Sequence, residues 1–181
     1  MSSVNGKPTI VALVEDKPGV LNRIASMFRR RGFNIASLAV GHSEQPHLSR
    51  MTFVVDSTDR DVVDQVVNQL HKIIEVVEVS DLTGQPIVAR ELALVKVKAP
   101  NASLRAEVIQ IVELFRCKVV DVGAETLVIE ITGDEDKIDG ILTLLRGFGI
   151  IEIMRTGRVA VMRGKKAPLK PDALVEHIKN D

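Results

Sequence analysis

The 181-residue sequence predicts an α+β chain built from two βαββαβ layers in tandem. Three observations lead there. Each half reads strand, helix, strand, strand, helix, strand, with apolar residues switching between alternating and helical spacing. A turn-rich break, Thr83-Gly84-Gln85-Pro86, separates the halves. The halves also share local text, Ile73-Ile74-Glu75-Val76 in the first and Ile150-Ile151-Glu152-Ile153 in the second, each expected to start a fourth strand. This order is that of the ferredoxin-like sandwich, in which two helices cover one face of an antiparallel sheet.

In the first half, Thr9 to Glu15 is rich in β-branched and apolar residues and reads as a buried strand. Pro18 then stands where a first helical turn tolerates a missing N–H. Val20, Leu21, Ile24, Ala25 and Phe28 give that helix one apolar face. Arg29, Arg30 and Arg31 complement the negative end of its dipole, and Gly32 stops it. Asn34 to Gly41 and Leu48 to Asp56 read as strands, the latter with Met51, Phe53 and Val55 on one face. Val62, Val63, Val66, Val67 and Leu70 mark a second helix, and Ile73 to Ser80 a fourth strand.

The second half repeats the scheme. Leu92 to Ala99 is a strand, and Leu104, Val108, Ile111, Val112 and Phe115 form a helical stripe. Cys117 to Val122 and Thr126 to Thr132 are strands around Gly123. Ile138, Ile141, Leu142 and Leu145 make another helical stripe, and Ile150 to Met154 opens the last strand. The expected layout is a tail at 1–7, a first unit at 8–82, a linker at 83–90, a second unit at 91–164 and a basic tail at 165–181. That tail is punctuated by Pro168 and Pro171 and is expected to carry a short helix from Ala173 to Lys179.

The first strand is apolar on both sides, Ile10, Ala12 and Val14 opposing Val11 and Leu13. Each such side chain costs about 1.5–3 kcal/mol if left in water. The sheet faces without helices are therefore expected to be covered, by each other or by another chain.

Composition removes several classes of function. Hydrophobic residues make up 45% and charged residues 27%, as in a folded globular protein. Twenty-four basic and twenty-four acidic residues cancel, so no global field draws nucleic acid or an anionic membrane. Tyr and Trp are absent and only five Phe occur, too few for a base-stacking sheet. The single cysteine, Cys117, fits a reducing compartment and reads as a small buried hydrophobe. The N-terminus lacks the apolar core of a signal peptide, and no apolar run reaches the ~20 residues that cross a bilayer. A soluble cytoplasmic protein is expected, without nucleic-acid or membrane partners.

No phosphate-binding Gly-rich loop or nucleophile elbow occurs, and no catalytic residue is assigned. His42 and His47 bracket one hairpin loop, but nothing at metal-ligand spacing joins them, so a solvated loop is the reading preferred over a metal site. The informative segment is Asp16-Lys17-Pro18-Gly19-Val20-Leu21, where a strand ends and a helix begins. N–H groups at a helix N-terminus suit a carboxylate, and Gly19 has no Cβ to hold a ligand away. Asp16 offers charge for an ammonium group, and the two needs together describe a free amino acid. The same residues also read as a plain cap, with Asp16 capping and Pro18 in the first turn.

The repeat and its motifs resemble the small regulatory subunit of acetolactate synthase, whose N-terminal half is an ACT domain. Val14 to Leu21, Arg30 to Gly41 and Leu48-Ser49-Arg50-Met51-Thr52 match that family in order and spacing. Gln69 to Lys72, Arg90 to Val97, Phe115-Arg116 and Val120-Asp121-Val122 extend the likeness, which covers residues 8 to 164. The resemblance implies a subunit with no active site or cofactor of its own. It implies a partner, the large catalytic subunit carrying thiamine diphosphate, Mg and FAD, which makes acetolactate from pyruvate at the entry to branched-chain amino-acid synthesis. It implies activation of that subunit and feedback inhibition, usually by valine, bound between the ACT domains of a homodimer. Carried onto this chain, Asp16, Lys17, Pro18, Gly19, Val20 and Leu21 hold the amino acid, and Asn34 and Ile35 reach it from the facing protomer, with Ala36 and Leu38 nearby. Two positions depart from the family pattern: Asp16 where some members place Asn, and Ala36 where Glu is frequent. The competing readings are an amino-acid sensor serving another partner and an acyl-phosphate hydrolase. The latter is opposed by Asp16 standing where a phosphate would sit.

Overall fold

In the computed structural model, residues 7–164 are described. They divide into two units, one of residues 7–88 with 158–164 and one of residues 89–157. The expected helix at Ala173–Lys179 and most of both expected tails lie outside the described residues.

The first unit runs β1 (Thr9–Glu15), α1 (Val20–Arg31), β2 (Ile35–His42), β3 (Leu48–Val55), α2 (Arg60–Leu70) and β4 (Val76–Asp81). Its antiparallel sheet has the order β2-β3-β1-β4, so β2 lies at an edge, as the ferredoxin-like topology requires. Ile10, Ala12 and Val14 of β1 join Met51, Phe53 and Val55 of β3 in a core closed by Ile24, Phe28, Val63, Val66 and Leu70 of the helices. Phe28 stacks on Phe53, with ring centroids 5.5 Å apart. The other sheet face is buried too: Val11, Leu13, Thr52 and Val54 are almost fully covered within the chain. The expectation of covered faces holds within this chain for the first sheet and not for the second, where Leu94 and Met154 stay exposed.

The second unit runs β5 (Ile87–Lys98), α3 (Ala102–Leu114), β6 (Lys118–Val122), β7 (Thr126–Gly133), α4 (Glu135–Leu145) and β8 (Ile150–Arg155), with sheet order β6-β7-β5-β8. Ala93, Val95 and Val97 meet Leu127, Ile129 and Ile131 beneath Val108, Ile138, Ile141 and Leu145. Here the outer face behaves differently. Leu94, 40% exposed, lies between Glu130 and Met154, which is 67% exposed, and Lys96 lies between Val128 and Glu152.

Several boundaries differ from those read in the sequence. β4 starts at Val76, because Ile73, Ile74 and Glu75 form the turn that leaves α2. The shared Ile-Ile-Glu text is therefore not structurally shared. Val76 faces Val14 as Ile150 faces Val97, so the true match is offset by three residues. β5 begins at Ile87, which places residues 87–90 of the expected linker in a strand. A ninth strand, β9 (Val159–Met162), was not foreseen; it pairs with β5 after the turn at Gly157. Beside it, the Arg158 guanidinium donates to Thr9 Oγ1 at 2.8 Å and to Lys7 O at 3.1 Å, and Arg163 N–H donates to Pro86 O.

Candidate functional site

Two backbone bonds fix the loop between β1 and α1. Glu15 N–H donates to Glu75 O at 2.9 Å and Asp16 N–H to His47 O at 2.8 Å, so the loop is clamped from the β4 side and from the β2–β3 hairpin. The helix then starts without a side-chain cap. Its N-cap is Gly19 (φ 89, ψ −11), with no side-chain bond to the first turn and no acidic residue in that turn. The sequence reading of Asp16 as a capping residue is thereby corrected, since its carboxylate lies elsewhere. Pro18 precedes the N-cap and does not occupy the first turn. Gly19 adopts the left-handed region, where a residue with Cβ pays about 1–2 kcal/mol. A Cβ built on Gly19 meets no atom within 4 Å, so the space ahead of the helix end is open. Val20 N–H turns back to Lys17 O at 3.5 Å; the amides that follow it and the positive end of a 12-residue helix dipole suit a carboxylate.

The candidate residues divide by direction. Val20 is 4% exposed and its side chain belongs to the core, which leaves only its backbone for a ligand; Leu21 is 47% exposed. Lys17 pairs with Glu15 at 2.9 Å. Asp16 Oδ2 lies 3.2 Å from His42 Nδ1, with side chains 46% and 87% exposed. Asn34 ends the α1–β2 connection, just ahead of β2, and its amide donates to Asp56 Oδ2 at 3.0 Å. Lys7, 2.8 Å from the same carboxylate, and Asn34 together hold Asp56 below the ordinary carboxylate range. Ile35 packs against the first core and opens a bulge between Ile35 and Ser37. Within this chain Asp16 to Leu21 form one cluster at the helix start. Asn34 and Ile35 lie at the start of the edge strand β2.

His42, expected in a solvated loop, instead ends β2 and is the neighbour of Asp16. A signal for it exists in the register: His42 pairs with Ser49, and Ser49 with Val14. Paired residues share a face, so the end of β2 stands beside the strand end that delivers Asp16.

The equivalent place in the second unit is filled. Asn101, the N-cap of α3, accepts from Leu104 N–H at 2.9 Å. Arg105 donates to Ala99 O (3.1 Å), Gly123 O (3.0 Å) and Ala124 O (2.7 Å), closing the space between loop and hairpin. The hairpin tie itself is retained, Ala99 N–H donating to Glu125 O at 2.7 Å.

Among the described residues no group of three or more His, Cys, Asp or Glu side chains is placed to hold a metal ion. No helix among them is long and apolar enough to cross a membrane.

Comparison with known proteins gives this arrangement a family. Residues 10–78 match the acetohydroxyacid synthase small subunit-like ACT domain, and residues 90–164 match the family described as the small subunit of acetolactate synthase. The chain is 51% identical over 160 residues to the probable acetolactate synthase small subunit of Archaeoglobus fulgidus, covering 88% of this chain and 99% of that one. It is 49% identical over 164 residues to the acetolactate synthase small subunit of Mycolicibacterium smegmatis, covering 90% and 95%. The crystal structure of the acetolactate synthase small subunit from Thermotoga maritima superposes with a TM-score of 0.80 at 40% identity, covering 88% of this chain and 99% of that one. Two ferredoxin-like units in tandem, an ACT domain first and matches that run through both, place the chain in the family of acetolactate synthase small subunits.

Proposed function

We propose that this chain regulates acetolactate synthase: it binds the thiamine-diphosphate-dependent catalytic subunit, raises its activity and confers feedback inhibition by a branched-chain amino acid, valine first. It acts in the cytoplasm as a dimer paired through its ACT domains, with the catalytic cofactors on the large subunit.

The observation that carries this reading is the uncapped start of α1. Gly19 leaves the amide donors and the space ahead of them open, with the Asp16 carboxylate one loop away. A zwitterion with a small apolar side chain meets each feature: carboxylate to the helix end, ammonium to Asp16, apolar group toward Leu21 and a facing chain. The edge position of β2 supports pairing with its two-fold mate, which brings the partner's β2 start toward this loop. The effector then acts by binding one quaternary arrangement better than another; a coupling of about 1–3 kcal/mol suffices for feedback control.

The test is reconstitution. Purified chain is mixed with the large subunit, and acetolactate is measured with and without valine. Activation that valine reverses is expected. Failure to activate removes the regulatory reading, and activation indifferent to valine, leucine and isoleucine removes the effector.

A further inference from the structure

We propose that Glu75 is a positioning residue for effector binding: it holds the Arg23 guanidinium away from the place beside the start of α1 that Arg105 fills in the second unit. This role rests on the reading of that place as the amino-acid site.

Arg23 and Arg105 occupy one position in the repeat. Arg23 N–H donates to the N-cap carbonyl Gly19 O at 3.0 Å, and Arg105 N–H to the N-cap carbonyl Asn101 O at 3.1 Å. Side chains on a helix lean toward its N-terminus, so both guanidiniums can reach the loop ahead of the helix. The surroundings correspond bond for bond. Asp16 N–H donates to His47 O as Ala99 N–H donates to Glu125 O, and Ser43 N–H donates to Leu48 O as Gly123 N–H donates to Thr126 O. Glu15 N–H donates to Glu75 O at 2.9 Å as Lys98 N–H donates to Gly149 O at 3.0 Å.

The two arginines nevertheless take different partners, and the last correspondence supplies the reason. Where the second unit has Gly149, with no side chain, the first has a carboxylate. Arg105 finds no acid there and settles on the carbonyls of Ala99, Gly123 and Ala124. Arg23 pairs with Glu75, whose side chain is 14% exposed and whose Oε2 is buried with no hydrogen-bond partner among the described residues. Drawing Arg23 off would strand a largely covered carboxylate without its cation, so the pair holds. The carbonyls of Asp16 and Ser43 are the counterparts of Ala99 O and Gly123 O, and among the described residues Arg23 makes no bond to them. Without the Glu75 carboxylate, Arg23 turns to these carbonyls as Arg105 does, and the chain closes its own effector site. A site open only about a tenth of the time binds about tenfold more weakly.

The test is calorimetry of the full-length chain with valine. Glu75→Ala keeps the main-chain tie to Glu15, yet it binds valine about tenfold or more weakly than wild type. Adding Arg23→Ala to Glu75→Ala brings the affinity back to within about twofold of wild type, because no guanidinium remains to close the site. A Glu75 that served the fold alone would leave the double variant at least as impaired as the single one. Unchanged affinity in Glu75→Ala, or no recovery in the double variant, overturns the role of Glu75 and leaves valine binding standing. No binding of valine, leucine or isoleucine by wild type sinks the effector reading itself, and this inference with it.

Discussion

The two units follow one topology and use the start of their first helix in opposite ways. In the second, Asn101 caps α3 and Arg105 caps the neighbouring loop by three bonds to carbonyl oxygens. In the first, α1 begins at a glycine with no side-chain cap, and Arg23, one turn into the helix, pairs with Glu75. The hairpins beside these loops differ as well. Four residues lie between Ser43 and Leu48 in the first unit, and two between Gly123 and Thr126 in the second. A fold that only needed stability would fill both ends. The first unit forgoes a cap worth about 0.5–2 kcal/mol, which a ligand can supply.

A second contrast lies at the opposite end of the sheets. Asp64 and Asp139 occupy the same place in α2 and α4, counted from the N-caps Asp59 and Asp134, and Asp81 and Arg155 occupy the same register opposite Ile10 and Ala93. In the first unit the arginine is on the helix: Arg60 bridges Asp64 and Asp81. In the second it is on the strand. There Arg155 grips Glu91 through two bonds of 2.7 Å and reaches Asp139 at 2.8 Å. One cross-link is built with reversed polarity, and burial differs in degree, chiefly at the arginine: Arg155 is half as exposed as Arg60, while Glu91 and Asp81 are both largely covered.

The contrast can be broken most sharply at Gly19. Gly19→Asp puts a carboxylate where the effector's carboxylate is expected and strains the left-handed backbone. Feedback inhibition by valine should weaken roughly a hundredfold or more, about 3 kcal/mol. Equal loss of activation and inhibition in the reconstituted assay would mean that the loop serves the fold alone.

Arg155→Ala leaves the Glu91 carboxylate buried without its partner. Urea unfolding should show a loss of about 2–3 kcal/mol, below the full buried-pair figure because Arg155 is partly exposed. Arg60→Ala should cost less, about 1 kcal/mol, because Arg60 itself is largely in solvent although Asp81 is mostly covered. Similar losses for the two would refute the difference in burial. Arg105→Ala should cost about 1–2 kcal/mol and leave valine inhibition unchanged, because Arg105 bonds carbonyls of the second unit, away from the loop at Gly19. Arg116, at φ 54, occupies the turn that Gly32 occupies in the first unit, so Arg116→Gly should raise thermal stability by about 0.5 kcal/mol.

Much of this was legible in the sequence. Val20, Ile24 and Phe28 at helical spacing, Gly32 after three arginines, and the alternation of Met51, Phe53 and Val55 each placed an element and its buried face. Local chemistry set those, so local text revealed them. The errors fall where long-range pairing decides. Ile73-Ile74-Glu75 has strand composition but is spent on a turn, because the ladder partner of Val14 is Val76. Ile87 to Arg90 extend β5, and a linker reading saw only the preceding Gly-Gln-Pro. At the site, Gly19 could be found because backbone geometry is written in glycine. His42 could not, because its nearness to Asp16 follows from strand register across β2, β3 and β1.

The return of the chain after Gly157 has a consequence for biogenesis. The first unit includes Arg158 to Met162, and the Arg158 guanidinium fastens it at Thr9. That unit is thus interrupted: its opening strand is synthesised before the second unit, while its closing piece follows the entire second unit out of the ribosome. An isolated fragment ending at Val88 would lack this closure. It should be handled as an unfinished body prone to self-association, whereas a fragment of 89–157 keeps the β6-β7-β5-β8 path and loses β9 and the first two residues of β5.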